Sequence, residues 1–176
     1  LRNLILGANY LQSDILHFYL LSALDFIDVT AVLKYNGNDR KLRAVRSWVQ
    51  NGLTQKAQGM SVYPAAPFLP RYEVPYLEDT QINCDFIAHY VEALEVRRVA
   101  HEMAAVFGAR LPHSTALVPG GCTQAPIEER ILTYRSRLKQ IQEFVESIYF
   151  PDVVAAAKAF PGYWDIGAGY GNLLAY

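Results

Sequence analysis

Arg110-Leu111-Pro112-His113-Ser114-Thr115-Ala116-Leu117-Val118-Pro119-Gly120-Gly121-Cys122-Thr123 separates two long helical patterns, and how it is read decides the fold. Gly120-Gly121 lets the chain reverse tightly because neither residue carries a Cβ, while Pro112 and Pro119 stiffen the backbone on either side of His113. Before this segment, Phe86, Ile87, Tyr90, Val91, Leu94, Met103 and Phe107 mark the apolar side of a helix from about Asn83 to Phe107, with Gly108 as the residue that ends it. After it, Ile127, Ile131, Tyr134, Leu138, Ile141, Val145 and Ile148 step by four and three, a heptad-like seam for packing against another helix. Thr123 stands where this helix would be capped, and Glu128 and Glu129 occupy a first turn whose dipole favours anions.

Working outward, Leu4, Ala8, Leu11, Ile15, Phe18 and Leu21 recur at a helical period, with a second apolar row at Ile5, Leu16, Tyr19 and Leu20. Apolar residues on more than one face predict a buried first helix, residues 1 to about 24. Asp39 is placed to cap a second helix that runs to about Gln50 and stops at Asn51-Gly52. Pro64, Pro67, Pro70 and Pro75, interleaved with Tyr63, Phe68, Tyr72 and Tyr76, forbid a helix and predict an irregular loop held by its rings. Pro151 is predicted to interrupt the long helix, with a short helix through Ala155-Ala156-Ala157-Lys158 closed by Pro161-Gly162. Residues 162–176 read as loop and strand. The fold class is mainly α with minor β.

Composition bounds the function. With 176 residues, 52% of them hydrophobic, the chain can bury one substantial core. Lys and Arg number 16 against 17 Asp and Glu, so no net field gathers nucleic acid or an anionic membrane. Apolar runs break well short of the roughly 20 residues a membrane-spanning helix needs. The chain begins at Leu1 inside a helical pattern and ends on the apolar Leu173-Leu174-Ala175-Tyr176. It is therefore expected to be an internal piece of a longer polypeptide, with residues 1–176 forming a single partial domain.

Several motifs fail on their chemistry. His101-Glu102-Met103-Ala104-Ala105 opens like a zinc-protease helix, but that motif needs a second His one turn on, where Ala105 stands. Gly167-Ala168-Gly169-Tyr170-Gly171 lacks the following helix whose N-terminal amides would meet a phosphate. Cys84 and Cys122 form no Cys-x-x-Cys pair, and both are expected to pack as small apolar residues. His17, His89, His101 and His113 show no metal-ligand spacing. Glu92, Glu95, Arg97, Arg98 and Glu102 are expected to be a solvated face of helical ion pairs.

Four collinear segments carry a family resemblance. They are Asn9-Tyr10-Leu11-Gln12-Ser13-Asp14-Ile15-Leu16-His17-Phe18-Tyr19 with Ala23-Leu24-Asp25-Phe26-Ile27-Asp28; Phe68-Leu69-Pro70-Arg71-Tyr72-Glu73; Ala109-Arg110-Leu111-Pro112-His113 through Gly120-Gly121; and Gly169-Tyr170-Gly171-Asn172-Leu173-Leu174-Ala175-Tyr176. In this order they resemble the central helical part of the nickel-iron hydrogenase large subunit. The resemblance implies reversible oxidation of molecular hydrogen to protons and electrons. It implies a nickel-iron centre with diatomic iron ligands, held by four Cys thiolates from the two ends of the full subunit, and an iron-sulfur small subunit as partner. None of the four ligands falls within these residues, so the fragment alone is expected to be inactive. It further implies Ser13, Asp14, His17 and His113 as residues around the centre: Ser13 as a hydrogen-bond donor towards the diatomic ligands, and His17 and His113 as groups that orient neighbours. Asp14 departs from the His usual at its position, and Leu20 from a polar residue. A periplasmic or membrane-associated location is expected over a cytoplasmic one. One alternative remains at this stage, a non-catalytic truncated paralogue acting as an interaction scaffold; a relative from the quinone-reducing respiratory complex, which lacks the metal-binding cysteines, is argued against by the Leu111-Pro112-His113 to Gly120-Gly121 match.

Overall fold

The axis of the fold is α3, Thr80–Gly108, and Asp79 starts it. Asp79 is extended, and its Oδ1 accepts hydrogen bonds from the Gln81 and Ile82 N–H groups at 2.8 and 2.9 Å, satisfying two amides that the first turn leaves without helical partners. The helix thus begins three residues before the expected Asn83, because Thr80 to Ile82 add a polar turn that periodicity does not register. These coordinates are a computed structural model, which describes residues 1–59, 74–167, 169–172 and 174. The Phe68–Glu73 segment and Pro64, Pro67 and Pro70 lie outside the described residues.

Along α3, Ala93, Ala100 and Ala104 are fully buried, and such small side chains let neighbouring helices approach closely. α1, Arg2–Leu16, uses this to lay Ile5, Ala8 and Ile15 against α3. α4, Glu128–Phe144, covers another side with Tyr134, Ile141 and Phe144. Met103 and Phe107 fill the space between, and burial of each contributes on the order of 1.5–3 kcal/mol. The Phe107 and Tyr134 rings lie 5.6 Å apart, and the Tyr134 hydroxyl donates to the Leu4 carbonyl at 2.8 Å, tying α4 to α1. α2, Arg40–Ala57, packs Leu42, Val45 and Val49 into the same core beside the 3-10 turn Val29–Lys34. Among the described residues the β content is one antiparallel pair, β1 Leu117–Val118 and β2 Gly121–Cys122, in register Leu117 to Cys122. The mainly α class with minor β holds.

Several local expectations are corrected. α2 passes through Asn51-Gly52 to Ala57, because Gly52 is buried and tertiary contact outweighs its poor propensity. The turn out of α3 is made by Ala109 at φ 67°; Gly108 is the last helical residue, where a Cβ would lie 3.1 Å from Ser114 Oγ. Thr123 does not cap α4: its N–H donates to the Ala116 carbonyl at 2.8 Å, and Ile127 takes the cap position without a side-chain bond. Pro151 does not interrupt the chain of helices. α5, Phe150–Ala159, follows α4 through a π-helical stretch, Val145–Tyr149, whose five-residue hydrogen bonding absorbs the missing proline N–H. Among the described residues after Gly162 there is a 3-10 turn, Pro161–Asp165, and no strand. The first helix is not buried all round, since Leu4, Leu6, Tyr10 and Leu21 remain exposed.

Candidate functional site

Arg2, Leu6, Asn9, Ser13 and His17 are spaced four, three, four and four residues apart, which puts them on one face of α1, turned away from Ala8 and Ile15, with Ile5 at its margin. The loop after α3 folds over the first half of that face. Leu111, Pro112, His113, Ser114 and Leu117 meet Arg2, Leu6 and Asn9 to form a groove of about 540 Å³. The loop is held by its own polar groups. Ser114 Oγ donates to the Gly108 carbonyl at 2.8 Å, Arg110 Nε to the His113 carbonyl at 3.0 Å, and the Ala116 N–H to the Gly108 carbonyl at 3.3 Å. Ala109 and His113 both adopt positive φ, 67° and 60°, at a cost of ~1–3 kcal/mol each that the surrounding contacts must offset. Gly120, at φ 91°, turns the β1–β2 hairpin without that cost.

Ser13, Asp14 and His17 are exposed together at the far end of α1, and the His17 main-chain N–H donates to the Ser13 and Asp14 carbonyls. His113 is also exposed, but it belongs to the groove at the opposite half of the helix. From Ile5 in that groove to His17 is about 18 Å at the helical rise. Ser13, Asp14 and His17 therefore sit together at the end of α1, while His113, on the loop after α3, stands apart from them. Beneath them lies a network that periodicity does not reveal. Gln12 Nε2 donates to Asn9 Oδ1 at 3.1 Å, while Gln12 Oε1 accepts from Arg97 Nε at 3.3 Å and from His101 Nε2 at 3.1 Å. Burial, and then the Arg97 charge, pull the His101 pKa down, which favours a neutral ring donating from Nε2. Arg97 thus leaves the expected solvated face, as do Glu92, paired with Lys41 at 2.9 Å, and Glu102, paired with Arg137 at 3.0 Å as well as with Arg98. Within that expected face, Arg98 forms the helical ion pairs, with Glu95 at i,i+3 and with Glu102 at i,i+4, so Glu102 joins this surface pair to Arg137 of α4.

The described residues do not supply the thiolate set that a nickel-iron centre needs. They contain no group of three or more His, Cys, Asp or Glu placed to hold a metal ion. Cys84 is buried near the start of α3, where burial and then the neighbouring Asp85 charge raise its pKa and keep it a thiol. Cys122 Sγ lies 3.5 Å from the Phe107 carbonyl near the other end of the same helix. The 23 residues from Cys84 to Phe107 span roughly 34 Å, so the two sulfurs cannot share an ion.

A second polar cluster escaped the sequence reading. Asp152, 5% exposed in the first turn of α5, accepts from the Tyr19 hydroxyl at 2.7 Å and from His89 Nδ1 at 2.9 and 3.0 Å. Burial acts to lower the His89 pKa, but the hydrogen bond and charge of Asp152, with Asp85 and Glu92 behind, outweigh it and raise the value. Burial first, and then Asp152, push the Tyr19 phenol far above its ordinary range, so it remains a donor. Tyr19 lies in the π-helical stretch His17–Ser22 that continues α1, and its ring meets Phe18, Phe144 and Tyr149 at 4.9, 5.8 and 6.0 Å. Tyr19 and Asp152 are 133 positions apart, and no local period links them.

Residues 1–176 match the nickel-dependent hydrogenase family. The periplasmic [NiFeSe] hydrogenase large subunit of Desulfomicrobium baculatum is 34% identical over 99% of this chain and 29% of that subunit. The quinone-reactive Ni/Fe-hydrogenase large chain of Wolinella succinogenes is 31% identical over 91% of this chain and 30% of its own. The solved [NiFeSe]-hydrogenase of Dm. baculatum superposes with a TM-score of 0.72 at 34% identity, covering 99% of this chain and 31% of that one. The Ni-Fe-Se hydrogenase of Desulfovibrio vulgaris Hildenborough does so with a TM-score of 0.68 at 38% identity, covering 92% and 27%. The chain thus spans less than a third of the length of these relatives.

Proposed function

Because the chain belongs to the nickel-dependent hydrogenase family, we propose that residues 1–176 form one partial domain in the helical interior of a hydrogenase large subunit. The complete subunit, paired with an iron-sulfur small subunit, interconverts molecular hydrogen with protons and electrons. The observation that carries this is the family match, which spans residues 1–176 and so takes in both α1 and the loop that carries His113. The nickel-iron centre takes its thiolates from elsewhere in the polypeptide, in keeping with two cysteines roughly 34 Å apart. These residues line the centre's surroundings. Ser13 presents its hydroxyl as a donor towards the diatomic ligands, Asp14 and His17 border it, and His113 orients a neighbour through its ring.

On its own, this stretch carries no hydrogen chemistry. No described helix is long and apolar enough to cross a membrane, and relatives named periplasmic and quinone-reactive support a periplasmic or membrane-associated place for the assembled enzyme. Nothing in the fold favours a non-catalytic scaffold. The test is the complete protein purified with its small subunit. Bound nickel together with hydrogen–deuterium exchange is expected; nickel-free protein without exchange refutes the proposal. A complete reading frame with no Cys-x-x-Cys on either side of these residues does the same.

A further inference from the structure

Two π-helical stretches, His17–Ser22 after α1 and Val145–Tyr149 after α4, meet in space. Phe18 and Tyr149 stack edge to face at 5.2 Å, and Tyr19 reaches past both to Asp152 on the first turn of α5. A π turn inserts one residue into a helix, is rare, and rotates the side chains before it relative to those after it. Something outside the helix has to hold it. Along 17–22 the local support is the Ser22 hydroxyl, which donates to the His17 carbonyl at 3.3 Å; the long-range support is the Tyr19–Asp152 bond at 2.7 Å. Asp152 is in turn fixed from α3, because both its oxygens face His89 Nδ1. The hydroxyl commits its one proton to Asp152, and its ring is packed among aromatic carbon, so the arrangement is a clamp rather than a proton wire.

We infer that Asp152 and Tyr19 are positioning residues. The His89–Asp152–Tyr19 clamp holds residues 17–22 in π register and thereby sets the direction of His17 and the exit of the Ser13–Asp14 turn towards the active centre. The inference rests on the function proposed above for its catalytic consequence, and on the coordinates alone for its geometric one. His17 opens the stretch two residues before Tyr19, and its carbonyl accepts from the Ser22 hydroxyl across it.

In the complete protein with its partner subunit, Tyr19→Phe is the sharp variant. It removes the hydroxyl and keeps both the ring and the Asp152–His89 pair. Its crystal structure is expected to show residues 17–22 relaxed towards four-residue hydrogen bonding with His17 redirected. Nickel content should be unchanged and hydrogen–deuterium exchange about ten- to a hundredfold slower. Residues 17–22 unchanged, with His17 in its wild-type direction, overturn the inference whatever the activity. Asp152→Asn keeps an acceptor for Tyr19 and is expected to retain exchange within about threefold of wild type; a loss as deep as that of Tyr19→Phe contradicts the clamp. Failure of both variants to fold would reduce the hydroxyl to a folding role and also overturn it. If wild-type protein shows no hydrogen chemistry, the proposed function fails, and the crystallographic readout still decides the clamp.

Discussion

Replacing Asn83 with Ala opens one identifiable joint. The Asn83 side chain, 1% exposed, makes three hydrogen bonds: Oδ1 accepts from the Asp28 N–H at 2.7 Å, and Nδ2 donates to the Leu77 carbonyl at 2.7 Å and the Asp79 carbonyl at 2.8 Å. It thereby pins the start of α3 to the segment that follows the first π stretch, where the Leu77 N–H also donates to the Phe26 carbonyl at 2.8 Å. Each intramolecular bond contributes about 1 kcal/mol net, so the three together amount to roughly 3 kcal/mol. At 1.4 kcal/mol per factor of ten, that is about a hundredfold change in the local opening equilibrium. Amide hydrogen exchange read by mass spectrometry on the complete protein resolves it, because local openings are reported segment by segment. In Asn83→Ala the Asp28 amide is expected to exchange about a hundred times faster, with the α4 amides unchanged. An Asp28 rate within twofold of wild type, or an equal acceleration throughout α4, refutes the reasoning.

Other perturbations follow from the same coordinates. Phe107→Ala empties the space between α1, α3 and α4, and the expected loss is about 3–5 kcal/mol, measured as a shift in denaturation midpoint; a loss below about 1 kcal/mol contradicts the packing described. His89 faces Asp152, Asp85 and Glu92, and its pKa is higher folded than unfolded. Its contribution is therefore full below the unfolded value of about 6.5 and lost as pH rises through the folded one. The stability gap between wild type and His89→Gln should narrow as the medium becomes more alkaline, and a gap that widens would be the wrong sign. Cys84 is buried with a raised pKa while Cys122 is half-buried, so a thiol alkylator under native conditions is expected to modify Cys122 well before Cys84; the opposite order contradicts their placement.

The helices were legible where apolar residues recur locally. Tyr134 and Ile141 of the α4 seam are buried as their spacing predicts and Glu128 and Glu129 sit in the first turn, but Ile127, Ile131 and Leu138 of the same seam are exposed within this chain. Ends were less legible, because tertiary partners decide them: Gly52 is carried inside α2 by burial, and Ala109 turns the chain where Gly108 was expected to. Periodicity also cannot say how far along an apolar row the cover extends, so Leu4 and Leu21, the ends of the first row, read as buried and are exposed within this chain. Ser13, Asp14 and His17 came from family resemblance, and the structure adds that they share an edge of α1 while His113 joins a groove farther back. Tyr19, His89 and Asp152 were illegible because the clamp joins three elements that the fold alone brings together.

The central claim is that these residues surround a nickel-iron centre without ligating it. Its most direct test is the nickel content of the complete protein, assembled with its small subunit, when Cys84 and Cys122 are both replaced by Ala. Nickel retained at the wild-type stoichiometry is the expected result. Loss of nickel from the double variant, or its absence from the wild-type protein, contradicts the claim.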